Sequence, residues 1–257
     1  MKGNLKSLLL LVHYWFPVAL GWSIATVIHR ATGLPILPSG IHLYLLCILA
    51  AYSFDRLYDN NDPSRPVWIK IALLSGFLAS SVLGFFLALQ VSVRTLSAMV
   101  IFSIITVFYS RMKKFPFVKF LLVSIVWAWA GVALPFANQH WFAWQFWTMQ
   151  TSVPLVILIA CSCILCDFKD VASDSADGVR SLPVTFGPRN TILITSVLLA
   201  LTAFISYLDG RPGLFISSLI LIGLAQFPKF LSIDAIGPLV VDMVLTIPGF
   251  LIVLHLV

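Results

Sequence analysis

The chain contains no glutamate: all ten of its acids are aspartate. Charge of either sign is scarce. Only 10% of the 257 residues are Asp, Glu, Lys or Arg, against about 25% in an ordinary soluble domain. With 60% hydrophobic residues, that excludes a soluble globular enzyme and a disordered chain. Four cysteines are too few for a disulfide scaffold. Three of them, Cys161, Cys163 and Cys166, read C-x-C-x-x-C, but the second ligand pair that zinc would need is missing. With Cys47 they read as small hydrophobes used for packing. Long alternation of apolar and polar residues is also lacking. The stretch from Ile71 to Leu89 is apolar on every face, which excludes a transmembrane β-barrel. An all-α polytopic membrane protein remains.

Nine apolar runs are long enough to read as spans, at about 8–28, 41–58, 68–90, 95–110, 117–136, 145–166, 189–208, 212–228 and 236–256. Breakers separate them: Gly33 to Gly40, Pro63 to Pro66, Pro116, Gly187-Pro188 and Gly210 to Pro212. The first run holds His13, Trp15 and Pro17 and lacks a small-residue cleavage site, so it reads as a retained helix. The expectation is one domain over residues 1–257, with nine transmembrane helices around a central cavity.

The net charge of +6 needs no nucleic acid to explain it. With the N-terminus in the cytoplasm, Lys2, Lys6 and the even-numbered loops hold every basic residue except Arg30, Arg94 and Arg211. That is a positive-inside pattern. It places the N-terminus and the aspartate-bearing loops on the cytoplasmic face.

Seven of the ten aspartates fall in two short segments, Asp55 to Asp62 and Asp167 to Asp177. Asp55 and Asp59 are four apart. Asp167, Asp170 and Asp174 are spaced i, i+3, i+7, so each set shares one helix face. Carboxylates packed this way repel one another unless a cation neutralises them. Hard oxygen ligands suit Mg²⁺, which is often held by a few carboxylates together with substrate phosphates. A third element lies at the end of the fourth run. Tyr109 and Lys113 are i, i+4 neighbours, with Lys119 further on. A hydroxyl and an ammonium suit diphosphate oxygens, although read alone the segment is equally a positive-inside loop. Asp242 lies inside the ninth run, where an ionisable group faces the bundle interior. It either serves an acceptor or a proton, or makes a structural hydrogen bond. His13, His42 and His255 read as interfacial or hydrogen-bonded rather than catalytic.

Together these elements resemble the UbiA superfamily of intramembrane prenyltransferases. The stretch Asp167-Phe168-Lys169-Asp170-Val171-Ala172-Ser173-Asp174, with Gly178, Arg180, Leu182-Pro183 and Gly187, is similar to the family's second aspartate motif. Asp55-Arg56-x-x-Asp59 resembles the first motif, and Tyr109-x-x-x-Lys113 the YxxxK signature. The chain departs at Ala51 and Tyr52, where the family has Asn-Asp. It also lacks the first-helix Arg of the hydroxybenzoate transferases; His13 is the nearest polar side chain, which argues against a benzoate acceptor.

The resemblance implies a Mg²⁺-dependent enzyme that ionises an allylic prenyl diphosphate and passes the prenyl group to a hydrophobic aromatic or lipid acceptor. A terpene cyclase of the same fold is the alternative. Asp55, Asp59, Asp167, Asp170 and Asp174 would hold metal. Arg56, Lys113, Lys119, Lys169 and Arg180 would bind diphosphate, and Tyr109, Lys113 and Asp242 would act in catalysis. Tyr14, Trp15, Tyr44 and Trp127 are candidate cavity aromatics that would steady an allylic cation.

Overall fold

The computed structural model describes residues 2–58, 66–112, 115, 117–136, 147 and 152–255. Side chains of 2–6, 58 and 110 are outside that description. Among the described residues every regular element is helical. The helices are α1 (Lys2–Trp15), α2 (Pro17–Thr32), α3 (Pro38–Tyr58), α4 (Val67–Ala88), α5 (Val93–Met112) and α6 (Val118–Ala133). They continue with α7 (Ser152–Cys166), a 3₁₀ turn (Asp167–Lys169), α8 (Val171–Ala176), α9 (Leu182–Leu208), α10 (Pro212–Ala225), α11 (Pro228–Leu231) and α12 (Ile236–Val253).

Six helical segments are long and apolar enough to cross a membrane: Ser7–Thr32, Pro38–Leu57, Val67–Ala88, Ser152–Lys169, Leu182–Leu208 and Ile236–Val253. Three shorter apolar helices, Val93–Tyr109, Val118–Ala133 and Pro212–Ala225, fall where the fourth, fifth and eighth runs lie. The distribution of polarity is inside-out. Leu193, Val197, Leu201, Phe204 and Leu208 form an exposed apolar stripe on α9, while Thr191, Thr195, Thr202 and Ser206 of the same helix are buried. Thr191 and Thr202 donate back to carbonyls one turn earlier, Gly187 and Leu198, at 2.9 Å. A lipid-facing surface is apolar, and small polar residues serve the helix contacts.

Two breaks shape the bundle. The first apolar run is two helices, because Pro17 starts α2 without an N–H to donate to the His13 carbonyl. Gly187 (φ 76°, ψ 163°) breaks α9 after its first turn, in a region of φ that favours glycine.

Helices α2 and α12 approach closely. Ser23 Oγ donates to the Leu245 and Thr246 carbonyls at 3.3 and 3.2 Å and accepts from Gly249 N at 3.0 Å. The two ends of the bundle are distinct. Lys119 at the start of α6 meets the residues after α7, and Ser232 before α12 donates to the Phe168 carbonyl at 3.2 Å. Arg30 and Arg211 come together in a separate cleft against Pro248 and Ile252, near the end of α12.

Candidate active site

The site is built where α7 ends. The expected single helix face for Asp167, Asp170 and Asp174 is not how the segment folds. The chain tightens into the 3₁₀ turn at Asp167–Lys169, and Asp170 (φ −98°, ψ 4°) stands outside the helix as the cap of α8. Asp170 N donates to the Asp167 carbonyl (3.0 Å), and Asp174 N to the Asp170 carbonyl (2.7 Å). The three carboxylates still converge, because α8 carries Asp174 back over the turn.

Their common partner is Lys119. Its Nζ lies 2.8 Å from Asp167 Oδ1, 3.0 Å from Asp174 Oδ2 and 4.0 Å from Asp170 Oδ2. Lys119 is the second residue of α6, so its charge opposes the helix dipole; the carboxylates hold it there. Asp167 is 4% exposed, and its Oδ2 has no hydrogen-bond partner among the described residues.

Among the described residues no three His, Cys, Asp or Glu side chains form a ready-made metal site. The donor set nonetheless fits a hard divalent cation. Three carboxylates already share one cation position, and one buried carboxylate oxygen is spare.

A cavity of about 150 Å³ opens beside this cluster. It collects Arg56, Tyr109, Lys119, Asp167, Lys169, Asp170 and Asp242, seven of the residues singled out by the sequence. The Arg56 guanidinium stands 5.3 Å from the centre of the Tyr14 ring, and its Nε is 3.9 Å from Asp55 Oδ2. Asp55 lines an adjoining cavity of about 160 Å³ that shares Tyr52, Arg56, Tyr109, Val123 and Trp127 with the first. This second cavity shares Ala51, Phe102 and Thr106 with an apolar groove of about 380 Å³ between α3, α4 and α5. The three spaces form a series from the aspartates to the lipid-facing side.

Other expectations fall elsewhere. Asp59 and Lys113 lie outside the described residues. Arg180 is exposed and does not line the cavity. Of the four candidate aromatics only Trp127 lines it, with Tyr52 edge-on to its ring at 5.9 Å between centroids. Tyr44 is buried in the core, and Trp15 packs toward Gly76.

Three further residues line the cavity. Cys163 and Cys166 pack against the core, as the sequence predicts, and both also reach the cavity wall. The signal was there: Ile159, Cys163 and Cys166 keep helical spacing on α7 and reach the cavity together. His13 is also in its wall, 6% exposed, with Nδ1 3.9 Å from Asp242 Oδ2. Neither His13 ring nitrogen has a hydrogen-bond partner among the described residues, so it is not the hydrogen-bonded or interfacial residue expected.

No curated protein sequence matches the chain. Solved structures of the same fold do. A UbiA homologue from Archaeoglobus fulgidus bound to DMAPP and Mg²⁺ is 15% identical with a TM-score of 0.55, over 95% of this chain and 99% of that one. The homologue bound to GPP and Mg²⁺ is 16% identical, with a TM-score of 0.56 over the same shares. A digeranylgeranylglyceryl phosphate synthase is 17% identical, with a TM-score of 0.54 over 97% of this chain and 99% of that one. The model of the UbiA prenyltransferase family matches residues 63–236, more than half of the sequence, and the chain belongs to that family.

Proposed function

We propose that this integral membrane protein is a Mg²⁺-dependent prenyltransferase that ionises an allylic isoprenyl diphosphate and transfers the prenyl group to a hydrophobic acceptor, aromatic or lipid. One observation carries the reading. Three carboxylates share a cation position beside a cavity that two of them line, and that cavity continues through aromatic walls into an apolar groove. A molecule with an anionic head and a long apolar tail suits that series of spaces. The solved homologues of the same fold, bound to DMAPP or GPP with Mg²⁺, support the same choice.

Asp167, Asp170 and Asp174 would hold Mg²⁺ on one side, and Asp55 with Asp59 on the other. Bound Mg²⁺ supplies positive charge against the departing diphosphate. Lys119, Lys169 and Arg56 add fixed cations around the same oxygens; Lys113 and Arg180 are diphosphate ligands by sequence resemblance alone. Tyr109 donates its hydroxyl to a diphosphate oxygen. Trp127 and Tyr52 present ring faces and edges to the allylic carbon, where a developing cation is favoured and water is excluded. The groove between α3, α4 and α5 takes the tail. The positive-inside pattern supports a cytoplasmic position for the N-terminus and the aspartate loops.

A terpene cyclase is the second reading, favoured by Ala51 and Tyr52 in place of Asn-Asp. The test is one incubation of purified protein with Mg²⁺ and geranyl, farnesyl or geranylgeranyl diphosphate, without acceptor. Intact substrate, followed by turnover when phenols or polar lipids are added, supports transfer. Diphosphate release with a cyclic hydrocarbon or terpene alcohol supports the cyclase.

A further inference from the structure

We propose that His13 and Asp242 form the acceptor end of the cavity, a base pair that takes the proton from a neutral hydroxyl, an alcohol or a phenol, as its oxygen is prenylated. The inference rests on the prenyltransferase reading above.

The pair joins the first and last long segments of the chain. His13 comes from α1 and Asp242 from α12, with Nδ1 and Oδ2 3.9 Å apart. Both line the cavity that Asp167 and Asp170 also line. His13 is buried, and among the described residues neither ring nitrogen has a hydrogen-bond partner. A buried polar side chain left unsatisfied is costly and rare. In a cavity wall, such a ring has donor and acceptor capacity to offer a ligand.

The position suits an acceptor rather than the diphosphate. Residues just before α12 are tied to the turn bearing Asp167 by the Ser232–Phe168 hydrogen bond. Asp242 is six residues into α12, so it lies about 9 Å further into the bundle from that helix's start. Asp242 is thus set along α12 away from the end tied to the turn bearing Asp167, within the same cavity.

The charges choose the acceptor class. A carboxylate acceptor would meet Asp242. Arg56 and Lys169 line the same cavity as the pair; in this reading they serve the diphosphate, with Arg56 also against Asp55 and Tyr14 and Lys119 engaged by Asp167 and Asp174. A neutral hydroxyl meets no such repulsion.

The step balances with the groups present. The bond from allylic C1 to the diphosphate oxygen breaks, and its electron pair stays on diphosphate. A lone pair of the acceptor oxygen forms the new bond to C1. The hydroxyl proton passes to the Nε2 of His13, while Asp242 faces Nδ1 and offsets the charge of the imidazolium.

The experiment uses the full chain in lipid nanodiscs with Mg²⁺ and geranylgeranyl diphosphate, and 1-decanol and 4-heptylphenol as acceptors. Calorimetry reads diphosphate binding separately from transfer. His13→Ala and His13→Gln should leave that binding within about twofold and lower kcat for transfer about 100-fold or more, the scale of a lost general base. Added imidazole should restore His13→Ala by about tenfold or more, a response that a structural role would not give. Asp242→Asn should lower kcat with little change in KM for the acceptor.

Transfer within threefold of the unmodified protein in His13→Gln, or no imidazole rescue of His13→Ala, overturns the base assignment. Diphosphate binding without transfer to either hydroxyl overturns the acceptor class. Absence of Mg²⁺-dependent diphosphate binding in the unmodified protein is a different failure, that of the prenyltransferase reading itself.

Discussion

Lys119 is ion-paired to Asp167, with its Nζ 2.8 Å from Oδ1. The contact joins the start of α6 to the turn after α7 and puts an ammonium among three carboxylates that a divalent cation would also use. Lys119 and a Mg²⁺ bound there would compete for the same oxygens. Lys119→Met leaves those carboxylates uncompensated, and breaking a buried pair costs about 3–5 kcal/mol. The variant should unfold at a lower temperature than the parent in chelator and gain more from added Mg²⁺. Thermal unfolding with and without Mg²⁺ reads both effects. Equal increments in the two proteins would mean that Lys119 and the metal do not share a site.

Asp170 and Asp174 differ in setting and should differ in consequence. The Asp170 side chain is 39% exposed and only 4.0 Å from Lys119. Asp170→Ala should stay within about 0.5 kcal/mol of the parent in stability while Mg²⁺-dependent turnover is lost. Asp174 is buried and holds Lys119 at 3.0 Å, so Asp174→Ala should lose turnover and also melt earlier. Unfolding curves beside activity assays separate the two; near-normal turnover in either variant counts against the metal assignment.

What was legible in the sequence was local. Hydropathy located the apolar helices, and Gly187-Pro188 marked the break that the backbone makes there. Pro17 was visible, but its effect was not: it sits where a helix starts, so periodicity ran through it. The i, i+3, i+7 spacing assumed an unbroken helix across Asp167 to Asp174, and a 3₁₀ turn intervenes. The carboxylates converge anyway because α8 carries Asp174 back over the turn, and their common partner, Lys119, comes from another helix. Such long-range pairs leave no trace in spacing. Lys119 reads as one more basic loop residue until α6 docks on α7, and His13 and Asp242 are 229 positions apart. The family model begins at residue 63, just past Asp55 and Asp59, so the first cluster rests on spacing and placement alone.

Ala51 lines both the apolar groove and the middle cavity. A larger side chain there narrows the joint between them. Ala51→Phe should keep turnover of geranyl diphosphate within a few-fold and lower that of geranylgeranyl diphosphate by about tenfold or more, since small volume changes in an apolar pocket discriminate on that scale. Competition between the two substrates in one tube reads the ratio. An unchanged ratio would mean that the tail leaves the cavity by another route.

The contact between α2 and α12 sets the frame for the cavity wall, because α12 carries Asp242 and α2 follows directly from the helix carrying His13. A Cβ on Gly249 would lie 2.5 Å from Ser23 Oγ and 2.6 Å from Ser23 Cα. The backbone atom cannot rotate away, so Gly249→Ala must push the helices apart and strain the hydrogen bonds that Ser23 makes to Thr246 and Gly249. Overpacking of this kind costs about 1–3 kcal/mol. Gly223 is the control: it is exposed in the last turn of α10, and a Cβ there meets nothing within 4 Å. Gly223→Ala should be neutral or stabilising by up to about 0.5 kcal/mol through its helix preference. Thermal unfolding of the two variants in the same detergent gives the comparison. Separation of α2 from α12 should also lower turnover in Gly249→Ala, since it shifts Asp242 relative to His13. Equal melting temperatures for the two variants would show that the close approach of α2 and α12 is not what holds the wall in place.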